Sequence, residues 1–280
     1  MMLFIKYLHI FVYSYTLLIM RTALLLIDMQ NDFCSPEGSL FVPGAESDCA
    51  RVVVFLENNA EKIDDIYMTM DCHQFFHIAN SSFWKSADGN EIPVNTTITH
   101  ADFLSGKYTP VIDTLRPRVE DYLLSLESLG RYQLTIWPPH CLIGSWGFSI
   151  QQDVWNAVNK WEQRFPGKSV NFIVKSRNPL TEHYSAIRTE VSDPFDATTK
   201  TNFALIDNLK KADKIFVAGE SLSHSVANTL RDLFIYIIPQ RFALLTDCST
   251  TLQIYGKNAL NFIESSREIG MTTATSDLIL

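Results

Sequence analysis

The chain has 280 residues, of which 46% are hydrophobic and 19% are charged, and its formal net charge is −8. This composition fits one globular domain with a full core. The acidic balance, without a Lys/Arg run, argues against a nucleic-acid partner, which needs clustered cations. The five cysteines form no CxxC pair, which argues against a zinc ribbon or a disulfide scaffold and favours reduced thiols in the cytoplasm. They are Cys34, Cys49, Cys72, Cys141 and Cys248.

Residues 1–20 differ from the rest of the chain. Residues 10–20 are mostly apolar and follow Lys6, which is compatible with a signal peptide or a short membrane anchor. The segment also contains His9, Tyr13, Ser14 and Tyr15, lacks a small-residue cleavage site, and is short for a membrane span. We favour an N-terminal extension or a misassigned start, with secretion or anchoring left open.

From residue 23 onward, short apolar runs alternate with longer amphipathic stretches. The runs predict strands at residues 23–27, 63–68, 133–136, 170–174, 214–218 and 241–246. The stretches between them predict helices at residues 47–59, 119–129, 150–164, 201–210, 223–234 and 252–265. Such alternation predicts a three-layer α/β/α fold around a central, mostly parallel six-stranded sheet.

One stretch, at about residues 83–132, does not fit this alternation. It is rich in polar turn residues, and we interpret it as an insertion in a domain that spans residues 21–270. An insertion of this kind shapes a lid, forms an oligomer contact or is a plain surface excursion. We expect the protein to form a homo-oligomer.

The ends of five predicted strands carry the residues of interest, because ligands of parallel sheets bind beyond the strands' carboxyl ends. Asp28 and Lys175 each follow an apolar strand, where a charged group is costly to bury unless it is paired or functional. The plain alternatives are a turn aspartate and a surface lysine. The remaining three positions at strand ends are Asp71, Trp137 and Gly219.

Asp71 and His73 are two residues apart in an extended segment, so their side chains project to the same side. His140 follows the next predicted strand and completes a set of one carboxylate and two imidazoles, which suits Zn²⁺, Fe²⁺ or Mn²⁺. Without other information, a capping aspartate beside a surface histidine is the simpler interpretation. His77 lies close in sequence, but we leave it out of the ligand set.

The segment FVAGESLSHSVANT, residues 216–229, predicts a buried strand, a glycine turn and a helix. This geometry lifts Ser225 to a helix N-terminus, where backbone N–H groups favour a thiolate or an oxyanion. The segment resembles the nucleophile turn of the isochorismatase-like cysteine hydrolases, the superfamily that includes the nicotinamidases. LLLIDMQNDF at residues 24–33 and TEHYSA at residues 181–186 also resemble motifs of that family. The resemblance covers residues 21–262, apart from the insertion.

The resemblance implies specific roles. The family has a cysteine at the position of Ser225, with Asp28 taking up the nucleophile's proton and Lys175 stabilising both anions. The resemblance also implies an oxyanion hole formed by the N–H groups of Ser221 and Ser225, beside a cis peptide bond between residues 220 and 221.

Asp71, His73 and His140 match the metal set of the nicotinamidase branch, in which the metal holds a pyridine nitrogen. We therefore expect a divalent metal, Zn²⁺ first, with Fe²⁺ or Mn²⁺ as alternatives. Phe33, Trp137 and Tyr184 match positions that line a flat ring pocket in the family, so the resemblance implies the same role for them. Core packing is the usual role of such aromatic side chains. The implied reaction is hydrolysis of a small carboxamide such as nicotinamide to acid and ammonia, within NAD salvage.

The serine at position 225 leaves several functions open, because a hydroxyl is far less acidic than a thiol and needs a general base. Ser225 is an engineered replacement of the nucleophile, or the chain is a natural pseudoenzyme that binds metal and ligand, or it is a slow serine amidase. A scaffold or interaction protein is the alternative from another class, which the polar cluster argues against.

Overall fold

The computed structural model describes residues 20–280 of the chain. The prediction for residues 1–20 falls almost wholly outside this range, at residues 1–19. Within residues 20–280, no helix has the length and apolar character that crossing a membrane requires.

Ten strands and eight α-helices occur between residues 20 and 280. The strands are β1 (Thr22–Ile27), β2 (Asp65–Asp71), β3 (Trp84–Ser86), β4 (Thr97–Ile98), β5 (Tyr108–Pro110), β6 (Leu134–Thr135), β7 (Val170–Lys175), β8 (Lys214–Gly219), β9 (Phe242–Leu245) and β10 (Thr272–Ala274). The helices are α1 (Asn31–Cys34), α2 (Ala45–Asn59), α3 (His100–Leu104), α4 (Arg116–Leu129), α5 (Gln152–Arg164), α6 (Phe203–Leu209), α7 (Ala227–Leu233) and α8 (Gly256–Glu268).

Six strands form the central sheet in the order β10-β9-β8-β1-β2-β7, and every neighbouring pair is parallel. The middle strand β1 is buried along its whole length, as its continuous apolar run requires. One face of the sheet packs against α2 and α5 through side chains such as Phe55 and Trp161. The other face packs against α6, α7 and α8 through side chains such as Leu230 and Phe262. The predicted three-layer α/β/α fold is confirmed.

The membership of the sheet differs from the prediction at two strands. Residues 133–136, predicted as a central strand, contain only β6, which pairs antiparallel with β4 outside the central sheet. Two consecutive prolines, Pro138 and Pro139, follow closely and have no N–H to continue a ladder. The sixth central strand is instead β10, whose three residues are too few to give a periodic signal.

Residues 83–132 carry β3, β4, α3, β5 and α4, with an apolar cluster of their own. This cluster includes Phe83, Tyr122 and Leu126, and it extends to Trp137 at the carboxyl edge of the sheet. The segment therefore stands over the edge at which the strand-end residues meet. That it is an insertion remains a prediction.

Candidate active site

Asp28 lies directly after β1 and is fully buried. Its backbone φ is +49°, a left-handed conformation that aspartate tolerates better than most residues. Its Oδ1 accepts a hydrogen bond from the Thr69 hydroxyl at 2.5 Å, and its Oδ2 lies 2.9 Å from Lys175 Nζ. Burial raises the pKa of Asp28, and Lys175 only partly opposes this. A carboxylate in this state can take up a proton.

Lys175 joins two carboxylates at the end of β7. The register pairs it with Asp71 on β2, and its Nζ lies 3.1 Å from Asp71 Oδ1 as well as 2.9 Å from Asp28. The ammonium also donates to the carbonyl of His183 at 3.0 Å. Burial alone would lower the pKa of Lys175, but the two carboxylates outweigh it and raise that pKa. Lys175 is therefore a buried permanent cation.

Asp71, His73 and His140 each offer one ligand atom, and these atoms lie within 4.8 Å of one another. His73 Nε2 is 3.0 Å and His140 Nε2 is 3.5 Å from Asp71 Oδ2. The Nδ1–H of His140 donates to the Pro138 carbonyl at 2.8 Å, so Nε2 keeps its lone pair for a metal. The structure thus brings the three predicted ligands together, and their donor atoms fit a divalent transition metal.

His77 also lies beside this cluster, with its ring 4.5 Å from that of His73. Its Nδ1 accepts a hydrogen bond from the Ala79 N–H, and burial lowers its pKa well below the usual range. It packs as a neutral ring and is not one of the three grouped ligands.

One cavity connects the trio to the nucleophile turn. The predicted ring-pocket residues Phe33, Trp137 and Tyr184 all line it, and Trp137 Nε1 donates to the Tyr184 hydroxyl at 3.1 Å. Phe33 meets the His140 ring edge-on at 5.4 Å. The other residues that line the cavity are Leu40, Val42, Asp71, His140, Glu182, Ser221, His224, Ser225 and Leu252.

The turn after β8 begins with Gly219 at a φ of +130°, where a Cβ atom would lie 2.0 Å from the Ile27 carbonyl oxygen. Glycine is required there because β1 and the turn approach so closely. The peptide bond between Glu220 and Ser221 is cis. Ser225 lies in the π-helical turn Leu222–Val226 that precedes α7, and not in the regular helix that the sequence predicts from residue 223.

His224 is adjacent to Ser225 but is bound elsewhere. Its Nδ1 lies 2.8 Å from the Ser223 hydroxyl, and its ring packs among Tyr132, Tyr184 and Tyr255. Burial, and then the charge of Arg231, lower its pKa to about 4.

No family model matches the chain. Among characterised sequences, the nicotinamidase of Saccharomyces cerevisiae is 25% identical over 206 residues, which is 74% of this chain and 78% of that protein. The chain is similar in sequence to this nicotinamidase over most of its length.

Solved structures of nicotinamidases and pyrazinamidases share the fold of this chain. Yeast nicotinamidase bound to the inhibitor nicotinaldehyde matches with a TM-score of 0.63 and 19% identity, over 91% of this chain and 99% of that one. The pyrazinamidase of Pyrococcus horikoshii in complex with zinc matches with a TM-score of 0.55 and 19% identity, over 91% of this chain and 99% of that one. The predicted resemblance to nicotinamidases is confirmed, while a cysteine ancestry for position 225 remains a prediction.

Three polar residues of this nicotinamidase-like site were not predicted from the sequence. Thr69 donates its hydroxyl proton to Asp28 from the middle of β2, Glu182 lines the cavity, and the His183 carbonyl accepts a hydrogen bond from Lys175. Burial raises the pKa of Glu182, and burial lowers that of His183 to about 3. None lies at a strand end, so the rule that selected the other residues could not find them.

Proposed function

We propose that the chain binds a small pyridine carboxamide, such as nicotinamide, beside a divalent metal and hydrolyses it weakly because position 225 is a serine. One observation carries the proposal. The buried Lys175 lies between Asp28 and the metal ligand Asp71, and Asp71 and Ser225 line the same cavity. A proton acceptor, a metal trio and a nucleophile position thus share one site.

Asp71, His73 and His140 would hold the metal. Zn²⁺ is the favoured ion, and the zinc complex of the Pyrococcus horikoshii pyrazinamidase supports this choice. When bound, such an ion supplies Lewis acidity and a coordination position for a ring nitrogen. The charges fit, because Asp28, Asp71 and Lys175 together leave one excess negative charge that a cation would offset.

The aromatic side chains fit the flat ring of a pyridine. Phe33, Trp137 and Tyr184 line the cavity beside His140, and apolar walls with a few polar groups are typical of small-molecule sites. The nicotinaldehyde complex of the yeast enzyme supports a ligand of this shape.

In the proposed reaction, Ser225 Oγ attacks the carboxamide carbon while its proton passes to Asp28. The N–H groups of Ser221 and Ser225 would stabilise the oxyanion. Collapse of the tetrahedral intermediate breaks the C–N bond, and the leaving nitrogen takes the proton and departs as ammonia. Water then hydrolyses the ester to the free acid and restores the hydroxyl.

The same geometry explains why turnover should be slow. Lys175 and a helix terminus assist a thiol by lowering its pKa, but they cannot ionise a hydroxyl. His224, the imidazole next to Ser225 in sequence, is bound to Ser223 and cannot serve as the base of a serine triad without moving. These contacts also favour a second candidate function, a pseudoenzyme that binds metal and ligand without turnover.

The test is calorimetric titration of nicotinamide and nicotinaldehyde into Zn²⁺-loaded protein, with ammonia release measured on nicotinamide and pyrazinamide. Saturable binding that His140→Ala abolishes would support the site. Slow ammonia release that continues beyond one equivalent of protein identifies the amidase, and binding without ammonia identifies the pseudoenzyme. Absence of binding to the metal-loaded protein would contradict both.

A further inference from the structure

Beneath the turn that carries Ser221 lie two buried carboxyl groups with too few partners. Glu220 is fully buried and Asp48, on α2, is 1% exposed. Among residues 20–280, Glu220 Oε1, Glu220 Oε2 and Asp48 Oδ2 accept no hydrogen bond. Unpartnered buried carboxylate oxygens are costly, so this cluster calls for a proton or a cation.

Only one of the two acids has a direct counterion within the described part of the chain. Arg51 Nη2 lies 2.5 Å from Asp48 Oδ1, and the Arg51 Nε donates to the Asp247 carbonyl. The Arg51 guanidinium is thus the counterion of Asp48. A second negative charge on Glu220 would stay buried beside it without compensation.

The other groups around Glu220 add no positive charge. The titratable groups that interact with Glu220 are Asp48 and Cys49 on α2 and Cys34 on α1, and none of them is a cation. Arg51, together with Asp247 and Cys248 on the segment after β9, lies around Asp48. Burial, and then the Asp48 carboxylate, raise the pKa of Glu220 well above its usual range.

We infer that Glu220 is a neutral carboxylic acid that donates its proton in a hydrogen bond to Asp48, and that this bond positions the turn bearing Ser221 and Ser225. The proton satisfies one oxygen of each acid at once. Glu220 is thus a positioning residue that ties the turn to α2.

The rest of the turn is tied to the segment after β9. Gly219 N–H donates to the Cys248 carbonyl at 3.0 Å, and Leu222 N–H donates to the Thr250 carbonyl at 2.8 Å. The proposed bond would tie the turn to α2. Ionisation of Glu220 would place two negatively charged carboxylates side by side and loosen the turn. This positioning role goes beyond the proposed function and does not depend on it.

The sign of the pH dependence follows from linkage. Above the ordinary glutamate pKa of 4.5 the unfolded chain releases this proton, while the folded protein retains it. Unfolding therefore releases a proton, and stability from this group is lost as pH rises. The unfolding equilibrium constant should increase by up to tenfold per pH unit from this group alone.

The test is urea unfolding between pH 5 and 8 of the wild type, Glu220→Gln, Asp48→Asn and the exposed control Glu91→Gln. The amide of Glu220→Gln donates to Asp48 without a titratable proton, so the wild-type constant should rise relative to that variant by up to tenfold per pH unit. Asp48→Asn, which can donate to an ionised Glu220, should also lose this slope, and Glu91→Gln should keep it. Equal slopes in the wild type and both cluster variants would overturn the inference.

Two further readouts separate positioning from bulk stability. Hydrogen exchange should show protection of the Gly219 and Leu222 amides falling with pH in the wild type, restored in Glu220→Gln and lost at every pH in Glu220→Ala. Infrared spectra of the folded wild type at neutral pH should contain a protonated carboxyl band that Glu220→Gln lacks. If the glutamine variant does not fold, infrared spectra of wild-type protein with isotopically labelled glutamate report whether Glu220 is protonated. An ionised Glu220 would refute the inference.

Discussion

Replacing Lys175 by methionine tests the electrostatic centre of the site. The substitution nearly keeps the length of the side chain and removes the charge that lies 2.9 and 3.1 Å from the Asp28 and Asp71 carboxylates. Removing one partner of a buried ion pair costs about 3–5 kcal/mol, because the remaining charge is buried without compensation. The loss should be larger at pH 8 than at pH 5, where Asp28 can take up a proton.

The matched control is Lys160→Met. Lys160 Nζ lies 2.8 Å from Glu57, but the Lys160 side chain is 73% exposed, so this pair should contribute about 0.2–1 kcal/mol. Urea unfolding of both variants in EDTA measures the difference in the free energy of unfolding. Adding Asp28→Asn to Lys175→Met should recover part of the loss, since one orphaned charge is removed. A loss below 1 kcal/mol for Lys175→Met, or equal losses for the two lysines, would refute the reasoning.

Four other substitutions probe the surroundings of this centre. His140→Ala should weaken Zn²⁺ binding by at least about a hundredfold, while His77→Ala should retain the metal after dialysis; metal analysis that shows the reverse would exchange their roles. Because the pKa of His224 is lowered to about 4, its stabilising effect is present above pH 6.5 and is lost as pH falls toward 4. The wild type should therefore lose on the order of 3 kcal/mol of unfolding free energy through this group between pH 6.5 and 4, and His224→Gln should not. The same pH dependence in both proteins would contradict this. Thr69→Val should cost about 1–3 kcal/mol, since Asp28 Oδ1 loses its hydroxyl donor, and an unchanged urea midpoint would count against that hydrogen bond.

The strand-end residues could be predicted because parallel strands bring distant positions to one edge. Asp71 and Lys175 are register partners on neighbouring strands, and the Ile27 carbonyl that precedes Asp28 accepts the Glu220 N–H at 2.8 Å. Apolar periodicity locates those strands, and topology then assembles the site without any need for precise loop geometry.

The parts that could not be predicted depend on short or irregular backbone. β10 has three residues, and the π-helical turn around Ser225 depends on contacts with Thr250 and Thr251 that lie far away in sequence. β6 was assigned to the wrong sheet because a short apolar run does not reveal its partner. Glu220 occupies a position where neither pattern nor periodicity signals an acid pair with Asp48.

The claim that Ser225 limits an otherwise complete site is tested most directly by Ser225→Cys. Ammonia release from nicotinamide should be measured on the Zn²⁺-loaded variant, beside Ser223→Cys as a control with the same thiol two residues away in the same turn. We expect Ser225→Cys to gain at least about a hundredfold in kcat/KM over the wild type, equivalent to about 3 kcal/mol of transition-state stabilisation, and Ser223→Cys to gain nothing. No gain in a folded, metal-loaded Ser225→Cys protein, or equal gains in both variants, would contradict the assignment of this site.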